Sequence, residues 1–125
     1  MAGLLTTHVL DIMHGCPAAN MQIQLWHFDH IAGTGTNPTM QLLKTVYTTN
    51  DGRTIAPLLQ GEELIIGRYE LVFSVNTYFS TLGIVLPDPP FLDDVPIRFA
   101  IAHTNEHYHV PLLVSPWAYS TYRGS

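Results

Sequence analysis

From Leu4 to Asp11 (LLTTHVLD) short β-favouring residues alternate, with Thr6, His8 and Leu10 on one side and Thr7, Val9 and Asp11 on the other. The pattern predicts a strand that carries a histidine. Gly15-Cys16-Pro17 breaks it, and alternation resumes from Met21 to Asp29 with Met21, Ile23 and Leu25 opposite Gln22 and Gln24. The two segments read as a hairpin or a sandwich edge. His30 to Thr39, rich in Gly, Thr, Asn and Pro, reads as a surface loop, and Leu42 to Thr48 as a third strand. Asn50-Asp51-Gly52-Arg53 is a tight turn whose glycine can take positive φ and whose arginine is displayed directly after it. Between Ile55 and Gly67, Pro57 and Gly61 interrupt the apolar pieces, leaving room for a short strand at most.

Arg68 to Val75 is a strand with Tyr69, Leu71, Phe73 and Val75 on one face. Asn76 is placed to N-cap a brief helix over Thr77 to Leu82, closed by Gly83. Pro87, Pro89 and Pro90 exclude regular structure after it, Val95 to Ala102 reads as a strand, and His103 to Glu106 as a turn. The last segment, His107 to Ser125, sets His107 and His109 on one face of a strand and Tyr108 and Val110 on the other. Ser115-Pro116 allows the chain to reverse into a final strand on which Tyr119, Thr121, Arg123 and Ser125 share a face. Seven or eight short strands with one short helix describe an all-β sandwich, read as one domain over residues 1–125.

Composition narrows what such a sandwich does. Charged residues are 12% of the chain, about half the roughly 25% of ordinary soluble domains, which points to surface covered in an oligomer. A net charge of −5 with five basic residues argues against nucleic acid as a partner. No apolar run reaches the roughly 18 residues that span a bilayer, and the N-terminal residues lack a signal-peptide pattern. One cysteine, Cys16, forms no internal disulfide, which is compatible with a reducing compartment without demanding it, and with no targeting pattern the cytoplasm is the default expectation.

Taken singly, the histidines at 8, 27, 30 and 103 and the turn arginine have ordinary structural explanations. Together, Leu5-Thr6-Thr7-His8-Val9-Leu10-Asp11, Asp51-Gly52-Arg53, Gly67-Arg68-Tyr69-Glu70-Leu71, Pro90-Phe91-Leu92-Asp93 with Ile97-Arg98-Phe99, and His107-Tyr108-His109-Val110-Pro111-Leu112-Leu113 through Tyr122-Arg123-Gly124-Ser125 resemble the 5-hydroxyisourate hydrolases, the transthyretin-related proteins. The terminal Tyr-Arg-Gly-Ser distinguishes the hydrolases from transthyretin itself.

The resemblance implies a transthyretin-like (prealbumin-like) sandwich of two four-stranded sheets with one short helix, assembled as a homotetramer around a central channel. It implies hydrolysis of the cyclic amide of 5-hydroxyisourate to 2-oxo-4-hydroxy-4-carboxy-5-ureidoimidazoline in urate degradation, with no cofactor. The catalytic positions it implies fall on His8, Arg53 and His109, and the substrate-binding positions on these three with Tyr122, Arg123 and Ser125. His107 lies beside them, and His8, His107 and His109 could also bind zinc adventitiously. Ring opening by water needs a base, an acid for the departing nitrogen and donors for the oxyanion. Imidazoles titrate near neutrality, and an arginine fork suits a carbonyl and imide edge. Which imidazole activates water stays open; His109 is favoured, with His8 as its partner.

Overall fold

The computed structural model describes residues 2–29 and 39–124. In chain order these form β1 (Leu4–Asp11), β2 (Cys16–Pro17), β3 (Gln22–Asp29), β4 (Thr39–Tyr47), β5 (Leu59–Gln60), β6 (Gly67–Phe73), α1 (Val75–Thr81), β7 (Val95–Ile101), β8 (His107–Val114) and β9 (Tyr119–Thr121). One sheet runs β2-β1-β8-β9, with the two-residue β5 pairing off this path with β1, and the other runs β4-β3-β6-β7. Of the loop read over His30 to Thr39, residues 30–38 lie outside the described residues, as does the terminal Ser125.

Strict alternation produces the core between the sheets. Leu5 and Val9 of β1 and Tyr108, Val110, Leu112 and Val114 of β8 meet Ile23 and Leu25 of β3 and Tyr69, Leu71 and Phe73 of β6, all of them buried. Each belongs to the core-facing set of its strand, so a one-residue slip would carry that set out of the core, and burial fixes the register. Truncating a fully enclosed member such as Leu112 to alanine costs about 2–5 kcal/mol. Helix α1 closes one end of the core with Val75, Tyr78 and Phe79.

Three sequence expectations are revised. First, β1 and β3 are not a hairpin, and neither is an edge, because they lie in opposite sheets. After β2 the chain crosses between sheets at Asn20, whose φ of 60° is the left-handed conformation that asparagine tolerates. β1 instead pairs in parallel with β8, Leu4 opposite His107 and Thr6 opposite His109. Second, α1 begins at Val75 behind Ser74, so Asn76 is an internal residue. There its side-chain oxygen accepts a hydrogen bond from the Ser80 hydroxyl. Gly83 does terminate the helix, at φ 81°, donating to the Ser80 carbonyl. Third, β4 starts at Thr39, earlier than the apolar pattern suggested, because β3 offers it partners as far as Asp29.

Candidate active site

The face of the β1–β8 pair turned away from the core carries Thr6 and His8 on one strand and His107 and His109 on the other. Parallel pairing sets Thr6 level with His109, and its hydroxyl oxygen lies 2.7 Å from Nε2 of His107 and 2.8 Å from Nδ1 of His109. The ring centroids of His107 and His109 lie 6.1 Å apart in an edge-on arrangement, and the Thr6 hydroxyl is within hydrogen-bond distance of a nitrogen on each.

Arg53 reaches this face through the 49–53 turn. The turn is closed by Gly52 N–H donating to the Thr49 carbonyl and Thr49 N–H donating to the Arg53 carbonyl. It is tied to β1 twice: Val9 N–H donates to the Gly52 carbonyl at 2.8 Å, and His8 Nε2 donates to the Asp51 carbonyl, also at 2.8 Å. A carbonyl only accepts, so His8 carries its proton on Nε2 and leaves Nδ1 as its lone pair. Gly52 is required here, with φ at 75° and any Cβ colliding with the Val9 carbonyl oxygen.

Between the turn and the sheet lies an open pocket of about 440 Å³. Thr6, His107 and His109 form one wall, and Arg53 with the 54–57 segment the other. His109 is half-buried in this wall and is held below the ordinary histidine range. Burial is the main cause, followed by the positive potentials of His107, Arg53 and His8. A lowered pKa keeps its imidazole neutral, able to accept a proton at neutral pH.

The terminal residues divide. Gly124 pairs with His109, its N–H donating to the His109 carbonyl at 2.8 Å. A Cβ at 124 would stand 2.5 Å from Cδ2 of the His109 ring, so only glycine lets the terminal segment lie over that imidazole. Arg123 points the other way, its guanidinium 4.2 Å over the ring of Tyr108 and its Nη2 donating to Glu106 at 3.1 Å. Arg123 and the exposed Tyr122 line a separate cleft of about 410 Å³ beside β7, not the histidine pocket. Arg123 thus lies on the same side of the terminal segment as Thr121, which stands opposite Leu112, and both residues are exposed.

The zinc set raised from the sequence is not assembled. His8 is committed to Asp51 through Nε2, while the facing nitrogens of His107 and His109 share Thr6. Among the described residues no group of three His, Cys, Asp or Glu side chains is arranged to hold a metal ion. His27 packs edge-on against Tyr69 as a structural side chain. Sequence reasoning passed over Thr6 and the spacing role of Gly124. Alternation did put Thr6 on the side of His8, but nothing local signals which strand lies beside it.

A second polar cluster sits at the far end of β1. The fully buried Asp11 carboxylate accepts from Met13 N–H and His14 N–H at 3.0 Å, His14 Nδ1 at 2.6 Å and the Tyr78 hydroxyl at 2.8 Å. Burial pushes its pKa up, but the hydrogen bonds outweigh burial and leave it below the usual carboxylate value. The cluster fastens α1 and the turn after β1 to the sheet.

Comparison with known proteins gives this geometry a family. A sequence model of the HIUase/Transthyretin family matches residues 5–124. The 5-hydroxyisourate hydrolase of Ralstonia nicotianae is 53% identical over 123 residues, which are 98% of this chain and 99% of that protein. The solved structure of Klebsiella pneumoniae 5-hydroxyisourate hydrolase is 31% identical with a TM-score of 0.77, covering 98% of this chain and 99% of that one. Sea bream transthyretin, solved in complex with thyroxine, superposes with a TM-score of 0.80 at 22% identity over 96% of this chain and 93% of that one, a likeness of fold alone. On the extent of the family match and the near-complete coverage of its relatives, the chain belongs to the HIUase/Transthyretin family.

Proposed function

We propose that this chain is a 5-hydroxyisourate hydrolase, opening the cyclic amide of 5-hydroxyisourate to give 2-oxo-4-hydroxy-4-carboxy-5-ureidoimidazoline in urate degradation. The observation that carries the reading is the meeting of a neutral, half-buried His109 with Arg53 over one open pocket. His109 takes a proton from water as it attacks the carbonyl, and Arg53 binds the carbonyl and imide edge and stabilises the oxyanion. His8, with its Nδ1 lone pair left free by Asp51, supports the proton transfers from the same sheet face. Two imidazoles, an arginine and threonines make this wall too polar for a carrier of apolar hormones, whose pocket is lined mainly by apolar groups.

The proposal includes a homotetramer acting in the cytoplasm without a metal. Unpaired outer edges of β9 and β7 flank one side of the sandwich, and Trp117, Tyr119 and Tyr122 are exposed beside them. A second copy would cover both the edges and the aromatic surface. Tyr122, Arg123 and Ser125 then bind substrate in the assembled particle. The test is to generate 5-hydroxyisourate from urate with urate oxidase and follow its ultraviolet absorbance. Acceleration over the spontaneous decay, retained after exhaustive chelation, is expected; decay at the spontaneous rate refutes the reading.

A further inference from the structure

We propose that Thr6 joins His109 and His107 into a proton relay, in which the proton that His109 takes from water is passed on and the positive charge comes to rest on His107. The inference rests on the hydrolase reading above and deepens it. Its basis is the single hydroxyl held 2.7 Å from one imidazole nitrogen and 2.8 Å from the other. A threonine hydroxyl has one proton to give. If it donates to Nε2 of His107, then Nδ1 of His109 must carry its own proton and donate to the hydroxyl oxygen. That arrangement leaves Nε2 of His109 unprotonated, and among the described residues this nitrogen has no other partner, so it is the one available to water.

The proton balance closes. Water gives a proton to Nε2 of His109 as its oxygen bonds to the carbonyl carbon. The proton on Nδ1 of His109 moves to the Thr6 oxygen, and the Thr6 hydroxyl proton moves to Nε2 of His107. His109 is again neutral, now protonated at Nε2; Thr6 again holds one proton; His107 carries the charge. Transfer of one proton back along the same path returns a proton from Nε2 of His109 to the departing ring nitrogen.

Placement favours this direction of travel. His109 is half-buried and faces the Arg53 cation from the turn, with His8 on the neighbouring strand, so a charge on it is poorly solvated and repelled. His107 is exposed, one strand repeat nearer the start of β8, where water solvates an imidazolium. Thr6 is held rigidly for the task by the parallel register that sets it opposite His109, and its β-branched side chain restricts rotation. Thr6 and His107 are in this sense positioning and relay residues behind His109.

The test compares wild type with Thr6→Val, which keeps the shape and loses the hydroxyl, Thr6→Ser, which keeps the hydroxyl, His107→Phe and the Thr6→Val/His107→Phe pair. We expect Thr6→Val to lower kcat about 10- to 100-fold with KM little changed, and Thr6→Ser to restore most of the rate. The double variant should be no slower than the slower single one, because both break one chain. Independently of turnover, nitrogen-15 chemical shifts of the wild-type imidazoles should show His109 protonated at Nδ1 and free at Nε2, and Thr6→Val should mix its tautomers. Wild-type tautomers of the opposite assignment overturn the relay, as do multiplicative losses in the double variant or full activity in Thr6→Val. If the wild type fails to accelerate decay, the hydrolase reading falls instead, while the nitrogen shifts still decide whether the hydroxyl orders the two rings.

Discussion

Replacing Gly52 with alanine separates two reasons for glycine that are usually confounded. At φ 75° alanine costs about 1–2 kcal/mol in any turn. Here the new Cβ also collides with the Val9 carbonyl, a backbone atom inside a paired strand that cannot step aside. The turn must lift off β1, losing the Val9–Gly52 and His8–Asp51 hydrogen bonds at about 1 kcal/mol each. The total is about 3–4 kcal/mol. Gly15 is the internal control, at φ 70° with nothing within 4 Å of its notional Cβ, so Gly15→Ala carries the conformational cost alone. With a urea slope of about 2 kcal/mol per molar, the unfolding midpoint should fall by about 1.5–2 M for Gly52→Ala and by no more than about 1 M for Gly15→Ala, at one fixed protein concentration. Turnover of 5-hydroxyisourate should collapse only in the first, because Arg53 rides on the lifted turn. Equal midpoints and equal rates in the two variants would refute the claim that this contact seats the arginine.

His109→Ala and Arg53→Ala are each expected to lower turnover by about two orders of magnitude or more with assembly intact, measured by the same decay assay. Because the His109 pKa lies below its ordinary value, activity should persist on lowering pH through the usual histidine range and fall only as His109 itself protonates. In Arg53→Gln an imidazole titration by NMR should move up, yet stop short of the ordinary value because burial, the larger cause, remains. Asp11→Ala should cost about 2–3 kcal/mol in urea unfolding, since four donors lose their acceptor but only the Tyr78 hydroxyl is fully buried. Asp11 has a depressed folded pKa, so its stabilisation is present above the unfolded value of about 3.9 and is lost as pH falls through the folded one. The acid loss of stability should therefore be shallower in Asp11→Asn. Removing Tyr122 to Ser125 takes Gly124 from its place against His109, and should reduce turnover far more than the unfolding midpoint.

The strands were legible because each carries its burial in its own letters. Met21, Ile23 and Leu25, and again Tyr69, Leu71 and Phe73, are buried as their alternation requires, and His107 and His109 do share the outward face. Pairing was not legible in the same way, because a period of two says which side chains face the core and nothing about which strand lies alongside. Hence β1 was matched to its sequence neighbour, while its true partner is β8. The same blindness hid Thr6, whose importance exists only in that register. Ser74 and Asn76 are both favoured N-cap residues, so the letters alone did not decide between them, and Ser74 caps α1 without a side-chain hydrogen bond. For Arg123, alternation gave its face correctly relative to Thr121, but which face of β8 that matches depends on the β9 register, set by the length of the Ser115–Ala118 turn.

The parallel β1–β8 ladder also sets a timetable. Thr6 and His109 are separated by 103 positions, so at roughly 5–20 residues per second the first strand leaves the ribosome about 5–20 s before its companion. Throughout that interval Leu5 and Val9 belong to a sheet with its middle missing, a surface open to chaperones and to wrong neighbours. A nascent chain consequently holds no fraction of this chemistry in advance, and competence waits until β8 has emerged.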